Sequence, residues 1–200
     1  MPAAEIAVLR FGNRRMPREL RSLDAHDIDG PAAVEAALRG ATRVAVLGAD
    51  ADLALVLTQM LRVDRLDIEV AHLRGRLDAR RALSAPARRV PLVRDDSGTA
   101  LVGSALWLPP ADSDAIHGEA VVDDTVLFDG DVAAVRIEPT TSLPGLRAAV
   151  LRGPRRRWVS GRAAQLGATG ARVVRDGVTG DREVKRSTFY RHTTGWLRVG

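Results

Sequence analysis

The stretch GADAD, residues 48–52, has the residue types and the placement of a phosphate-binding turn. It follows an apolar run and precedes leucine, valine and methionine residues at helical spacing. A glycine in such a turn lets the backbone approach an anion, and a helix N-terminus offers free N–H groups and a positive dipole end. The negative charge of Asp52, in the first helical turn, repels a phosphate. The alternative interpretation is an ordinary strand-to-helix turn with a favourable N-terminal acid.

Alternating strands and helices are predicted to position this turn. Asp29 is the candidate cap of the first helix, Pro31 fits its first turn, and Gly40 ends it. The order strand, helix, strand, helix, strand favours parallel pairing in an α/β layer. The predicted strands are residues 5–11, 43–47 and 66–73, and the predicted helices are residues 27–40 and about 52–62.

Beyond residue 75 the pattern changes to short strands between turns. Residues 74–89 are rich in arginine and alanine and predict a hinge or a helix broken at Pro86. Later turns are predicted at Asp95–Gly98, Asp123-Asp124 and Asp129-Gly130. Residues 143–153 predict either a short helix or a strand.

These patterns predict an α+β protein. Its N-terminal half is α/β with a small parallel sheet, and its second half is β-rich and sandwich-like. The predicted domains are a truncated nucleotide-binding-like region, residues 1–75, and a β-sandwich-like region, residues 90–200. The hinge is placed at about residues 74–89.

Composition limits the class of protein. Hydrophobic residues make up 46% of the 200 residues and charged residues 28%, which is typical of a globular chain. The absence of cysteine excludes disulfides and thiolate metal sites, and it fits a cytoplasmic protein. No apolar run approaches the roughly 18 to 20 residues of a transmembrane helix. We therefore expect a cytoplasmic protein without a transmembrane segment.

The net charge of +5 comes almost entirely from arginine, since Lys185 is the only lysine. The segment RGPRRRW, residues 152–158, concentrates Arg155, Arg156 and Arg157 beside Trp158. These arginines are candidate contacts for anionic lipid head groups or a nucleic-acid backbone, and the alternative is a solvated hairpin loop.

No metal site is expected. The acidic pairs Asp95-Asp96 and Asp123-Asp124 are interpreted as turn residues on exposed hairpins. The four histidines have no spacing typical of zinc ligands.

The stretch GPAAVEAALRGATRVAVLGADADLALVLTQML, residues 30–61, resembles the core of the diacylglycerol kinase and NAD kinase superfamily. In that family an alanine-rich helix leads into an apolar strand, then Gly-Gly-Asp-Gly-Thr, then a helix rich in leucine and valine. Gly48 and Asp50 match the first glycine and the aspartate. The other two glycines and the threonine are replaced.

The resemblance implies an α/β nucleotide half followed by a β-sandwich half. It also implies a C-terminal Asp-Gly-Glu turn whose glutamate acts as a general base. Here Asp176-Gly177 is followed by Val178, which cannot accept a proton. The family's Asn-Pro loop is reduced to AVLRFGNRR, and no Gly-Thr-Gly-Asn-Asp segment follows residue 73. The chain therefore resembles a degenerate, truncated member.

The sequence thus favours a non-catalytic, pseudokinase-like binding or interaction protein. Gly48 and Asp50 are the remnant of a nucleotide loop, no catalytic residue is assigned, and no cofactor is expected. The predicted partners are a second copy of the chain, a phosphorylated ligand or an anionic lipid surface. The alternatives are an active lipid or small-molecule kinase using ATP and Mg²⁺, a purely structural partner protein and, ranked lower, an arginine-rich nucleic-acid binder.

Overall fold

The structure is a computed structural model that describes residues 5–74, 78–153 and 156–200. The α-helices of these residues are α1 (Pro31–Leu38), α2 (Asp50–Arg62) and α3 (Asp78–Ser84), and a short 3-10 helix spans Arg18–Leu20. The strands are β1 (Ile6–Phe11), β2 (Asp24–Ile28), β3 (Arg43–Leu47), β4 (Glu69–His72), β5 (Ala87–Val90), β6 (Val93–Asp95), β7 (Ala100–Leu101), β8 (Ala105–Leu108), β9 (Ile116–Val122), β10 (Thr125–Val132), β11 (Val135–Pro139), β12 (Leu146–Val150), β13 (Val159–Gly161), β14 (Ala163–Arg175), β15 (Val178–Thr179), β16 (Val184–Arg191) and β17 (Trp196–Val199).

The chain divides into two compact units. The first comprises Met1–Val90 together with Thr194–Gly200, and the second comprises Pro91–Thr193. The segment expected to be a hinge contributes α3 and β5 to the first unit, and the last strand also belongs there. The second unit is therefore continuous in sequence, whereas the first is completed by a segment that follows it.

A six-stranded sheet in the order β2-β1-β3-β4-β17-β5 forms the centre of the first unit. Its first five strands are parallel, and β5 is antiparallel to β17. Every residue of β3 is buried, which is typical of a central strand covered on both faces. On one face Val8 and Ala45 pack against Ala79 and Ala82 of α3. The predicted α/β half with a small parallel sheet is confirmed.

Two local predictions in this unit were wrong, and a third was correct. Residues 24–28, which overlap the predicted helix 27–40, form the edge strand β2. The N-cap of α1 is Gly30 rather than Asp29, and no side chain caps the helix. The prediction of a helix broken at Pro86 is confirmed, because α3 ends at Ser84 and β5 begins at Ala87. Polar sequences at a sheet edge carry little of the apolar alternation that identifies a strand.

An antiparallel sheet of eleven strands forms the second unit. Its longest strand, β14, pairs with β9 and β16 over its first part and with β8 and β15 over its last. The core contains Trp107 and Phe189, whose ring centroids lie 6.1 Å apart, and Trp107 Nε1 donates to Ser187 Oγ at 3.0 Å. The β-rich half, and with it the α+β class, is confirmed.

Two segments of the second unit, one predicted as a turn and one left open between helix and strand, are strands. Asp129-Gly130 lies inside β10, where Asp129 is paired with Glu119 of β9. Of the two readings left open for residues 143–153, the strand β12 is correct. None of the described helices is long and apolar enough to cross a membrane.

Candidate functional site

The candidate turn connects two adjacent elements of the first unit. Strand β3 ends at Leu47, Gly48 is buried, and α2 begins at Asp50. The neighbouring parallel strands β1 and β4 end at the same edge of the sheet as β3. In open α/β sheets this carboxyl edge is where ligands bind. The turn is therefore placed where the sequence predicted a nucleotide loop.

Gly48 is required by an internal contact. A Cβ atom at this position would lie 2.6 Å from the Cβ of Asp52 and 2.7 Å from its Oδ2. Real Cβ atoms do not approach other atoms so closely, so a larger residue would displace Asp52. The glycine thus makes room for the carboxylate of the chain itself.

The Asp52 carboxylate occupies the N-terminus of α2. Its Oδ2 accepts a hydrogen bond from the Ala49 N–H at 2.7 Å. This reaching back to the N-cap is one half of a capping box, and a negative charge there is favoured by the helix dipole. A phosphate at this turn would compete with a carboxylate that is already hydrogen-bonded and would be repelled by its charge.

Asp50, the second remnant residue, is paired with a cation from the segment after β4. Its Oδ1 accepts a hydrogen bond from Arg74 Nη2 at 2.5 Å. The Asp50 side chain is 34% exposed and that of Arg74 is 63% exposed, so the pair lies at the surface. Asp50 is thereby ion-paired with an arginine at the surface of the first unit.

His72, the last residue of β4, connects the turn to Arg74. Its Nε2 lies 3.1 Å from the Gly48 carbonyl oxygen, and its Nδ1 lies 3.3 Å from Arg74 Nε. Because the arginine can only donate, Nδ1 accepts and Nε2 carries the proton that is donated to Gly48. This is the neutral tautomer.

Burial agrees with a neutral His72. Desolvation of the imidazolium lowers the pKa of His72, and the positive charge of Arg74 lowers it further. The hydrogen bond to Gly48 and the charge of Asp50 act in the opposite direction and are outweighed.

Gly48 and Asp50 were predicted as site residues from the sequence, whereas His72 and Arg74 were not. The signal was available in the order of the strands. Both residues follow or end the strand next to β3, and the carboxyl ends of adjacent parallel strands lie side by side. Neither residue belongs to a local sequence motif, and the histidines lack the spacing typical of metal ligands.

The region expected to hold a general base is a structural turn. The Asp176 carboxylate accepts hydrogen bonds from the N–H groups of Val102, Gly103 and Ser104 at 3.0, 2.6 and 3.0 Å. Asp176 has a φ of 48° and Gly177 a φ of 85°, which is the left-handed geometry of a tight turn. Val178 is 59% exposed and offers no group that accepts a proton.

Both acidic pairs lie at turns, as expected. Asp123 accepts hydrogen bonds from the backbone N–H groups of Arg162 and Ala163. The expectation of exposure was wrong for Asp95, which is fully buried and accepts from Thr99 N at 2.8 Å and Arg175 Nε at 2.5 Å. Within the described ranges, no three histidine, aspartate or glutamate side chains are grouped so that they could hold a metal ion.

The arginine-rich loop follows β12. Arg155 lies outside the described residues, and Arg156 and Arg157 are exposed. The ring of Trp158 is covered by Arg147, whose guanidinium carbon lies 4.3 Å from the ring centroid. Trp158 is therefore stacked on an arginine of the neighbouring strand β12.

Comparisons with known proteins identify similar structures but no matching family model or curated sequence. No family model and no curated protein matches the chain. A diacylglycerol kinase from Bacillus anthracis str. Sterne is similar in structure with a TM-score of 0.72 and 10% identity, over 98% of this chain and 96% of that chain. An NAD kinase from Archaeoglobus fulgidus, solved in complex with ATP, has a TM-score of 0.66 and 12% identity, over 98% and 93%.

At such low sequence identity, the structural similarity establishes only the arrangement of the elements. The activity has to be argued from the residues of the site. The resemblance seen in residues 30–61 is confirmed at the level of the fold. The chain has the fold shared by diacylglycerol kinases and NAD kinases.

Proposed function

We propose that this chain is a non-catalytic, kinase-like binding protein whose phosphate turn is closed by its own side chains. The observation that carries the proposal is the Asp52 carboxylate on the Ala49 N–H. It places a fixed negative charge at the N-terminus of α2, where a kinase of this fold would need to receive phosphate. In the family, the glycine at the position of Gly48 lets a ligand approach closely. Here the Asp52 side chain occupies the space beside Gly48.

The chemistry of phosphoryl transfer supports the same conclusion. The reaction needs positioned phosphates, a metal that neutralises their charge, and a group that accepts the hydroxyl proton. Asp50 is paired with Arg74. Val178 stands where the family places its base. A non-catalytic role explains why these positions are free to diverge while the fold is kept.

The proposal extends to the setting of the protein. The absence of cysteine supports a reducing compartment such as the cytoplasm. A second copy of the chain or a phosphorylated ligand are the partners that we propose.

An assay of ATP turnover tests the proposal. The full chain is incubated with ATP, Mg²⁺ and diacylglycerol, and ADP release is measured. We expect no release above the buffer rate, whether or not ATP or NAD raises the melting temperature of the chain. A ligand at a hundred times its dissociation constant would add about 2.7 kcal/mol of apparent stability, so binding would be visible.

Two variants make the assay decisive. Asp50→Asn removes the charge of the remnant aspartate, and Asp67→Asn removes the charge of an exposed aspartate elsewhere in the first unit. Turnover that is lost in Asp50→Asn and kept in Asp67→Asn would overturn the proposal in favour of an active kinase with a divergent loop.

A further inference from the structure

A surface cavity of about 410 Å³ lies along the segment that follows β1. The lining residues come from one short stretch and are Arg15, Met16, Pro17, Arg18, Glu19 and Arg21. This volume is at the lower end of the range of small-molecule sites, which is roughly 300 to 1,000 Å³. The cavity is therefore large enough for a small metabolite.

Positive charge dominates the lining. Three arginines face one carboxylate, that of Glu19, which also lies 3.7 Å from Arg80. Within the part of the chain that the structure describes, the side chains of Arg15, Arg18 and Arg21 make no hydrogen bond or ion pair. Several other arginines of the same unit are paired with carboxylates, namely Arg10, Arg43, Arg65 and Arg74. The cavity thus gathers three exposed cationic side chains that have no acceptor among the described residues.

In sequence, the segment that lines the cavity follows β1, which pairs directly with β3. Ligands of open α/β sheets bind beyond the carboxyl ends of the strands. At the next strand, the N–H of Ala49 is already taken by Asp52.

We propose that this cavity binds a small phosphorylated molecule that carries at least two negative charges. An arginine guanidinium offers a planar fork of donors that matches phosphate oxygens, and three such groups exceed what one negative charge can satisfy. Met16 and Pro17 give the lining an apolar part, against which the organic portion of the ligand packs. This ligand class rests on the proposed non-catalytic binding role, and it does not require the closed turn to open.

Isothermal titration of the full chain with pyrophosphate tests this site. The test variant replaces Arg15, Arg18 and Arg21 with glutamine. The control variant makes the same charge change at Arg156, Arg157 and Arg182, which are exposed arginines of the second unit. We expect the test variant to bind pyrophosphate at least about tenfold more weakly than the unmodified chain, because hydrogen bonds to charged groups are lost. The control is expected to stay within about twofold.

Failure has a clear form. No heat of binding in the unmodified chain, or equal weakening in both variants, would overturn the proposal, since the attraction would then be absent or due to net charge alone. If the triple variant does not fold, the three single glutamine variants are measured, and each is expected to weaken binding. Unchanged affinity in all three single variants would also overturn the proposal.

Further probes identify the source of the phosphate. Sedimentation with phosphatidylcholine vesicles, with and without phosphatidic acid, tests a lipid head group. We expect binding of soluble pyrophosphate and no sedimentation in either case. Sedimentation that depends on phosphatidic acid would overturn the soluble ligand. The turnover assay is separate, because ADP release would contradict the non-catalytic role while leaving the arginine site to be judged by the titration.

Discussion

At the residue scale, Gly48 is retained for a reason different from the one that its position suggests. Its lack of a side chain makes room for Asp52, and an added Cβ would meet Asp52 atoms at 2.6 and 2.7 Å. Relief requires the carboxylate to leave the Ala49 N–H, which removes a favourable contact at the N-terminus of α2. The same substitution therefore tests both the packing and the cap.

We predict that Gly48→Ala lowers the free energy of unfolding by about 1 to 3 kcal/mol, as overpacking does. Gly167→Ala is the control, because an added Cβ there would meet only Glu119 Cγ at 4.0 Å, an ordinary contact. Urea unfolding of the two variants is compared with that of the unmodified chain. An unchanged stability for Gly48→Ala would mean that Asp52 moves freely and that the turn is open to anions.

His72 makes stability depend on pH. Its pKa in the folded chain lies below the ordinary value, because burial disfavours the imidazolium and Arg74 adds positive charge. An unfolded histidine titrates near 6.5, so between the two pKa values the unfolded state binds more protons. The contribution of His72 is complete above about pH 6.5 and is lost as the pH falls through the folded pKa.

We predict that the unmodified chain loses more stability than His72→Gln when the pH is lowered from about 7.5 to about 5.5. Glutamine keeps an N–H donor for the Gly48 carbonyl and does not titrate. His192, whose pKa is also lowered by burial and by Arg94, contributes in the same direction, so His192→Gln is measured in parallel. Equal slopes for the unmodified chain and His72→Gln would contradict the assignment.

At the scale of the elements, one buried arginine fastens α3 to the parallel sheet. Arg43 Nε donates to Glu69 Oε2 at 2.6 Å, and its Nη1 donates to the carbonyl oxygens of Ala82 and Leu83 at 2.9 and 3.2 Å. These carbonyls belong to the last turn of α3, where the helix has no internal donor for them. Arg43 thus ends the helix and fixes its distance from β3.

We predict that Arg43→Met lowers the free energy of unfolding by about 2 to 3 kcal/mol, since buried acceptors lose their donor. Hydrogen exchange of residues 78–84 is expected to become faster at the same time. Arg39→Gln, which alters an exposed pair with Glu35, is the control and should cost no more than about 0.5 kcal/mol. Exchange in α3 that is unaffected by Arg43→Met would show that the helix is held by its apolar contacts alone.

The elements also show where reasoning from the sequence succeeds and where it ends. Strand β3 was predicted from its continuous apolar run, and helix α2 was predicted because its apolar residues recur at helical spacing. Strand β2 was missed because its residues are polar, which an edge position tolerates. The position of Asp50 followed from the pattern, but its partner Arg74 comes from another element, and pairing between distant segments leaves no local periodicity.

At the scale of the whole molecule, the positive charge is partly consumed by internal pairs. In the second unit Arg136 and Arg147 both contact Glu138, and Arg175 contacts the buried Asp95. Burial raises the pKa of Glu138, but hydrogen bonds from the two arginines outweigh it and lower the pKa below its ordinary value. The count of 30 lysine and arginine residues therefore overstates the number of cationic side chains that are free to contact a polyanion.

We predict weak binding to a short duplex oligonucleotide, measured by fluorescence anisotropy, with an affinity that falls as salt is raised. Counterion release makes such binding steeply dependent on salt when several phosphates are contacted. Arg156→Gln with Arg157→Gln should change the affinity little. Tight binding at physiological salt that these substitutions abolish would instead support the nucleic-acid alternative.

The chain order has a consequence for folding. The second unit, Pro91–Thr193, is continuous, whereas the first needs β17, which pairs with β4 and β5. Gly195 comes so close to β5 that an added Cβ would lie 2.1 Å from the Val90 carbonyl oxygen. Trp196 and Val199 of β17 are each only 8% exposed. Strand β17 thus completes a sheet whose other strands lie more than a hundred residues earlier in the sequence.

We predict that a fragment of residues 91–193 folds alone, with cooperative urea unfolding and slow hydrogen exchange at Trp107 and Phe189. Removal of residues 194–200 should leave that protection intact while exchange in β3 and β4 becomes fast, because β4 loses its neighbour and the buried faces of Trp196 and Val199 are gone. Gly195→Ala tests the same contact without shortening the chain and should weaken β4 and β5 selectively. Equal loss of protection in both units on truncation would mean that they unfold as one cooperative body, and the independence of the second unit would have to be abandoned.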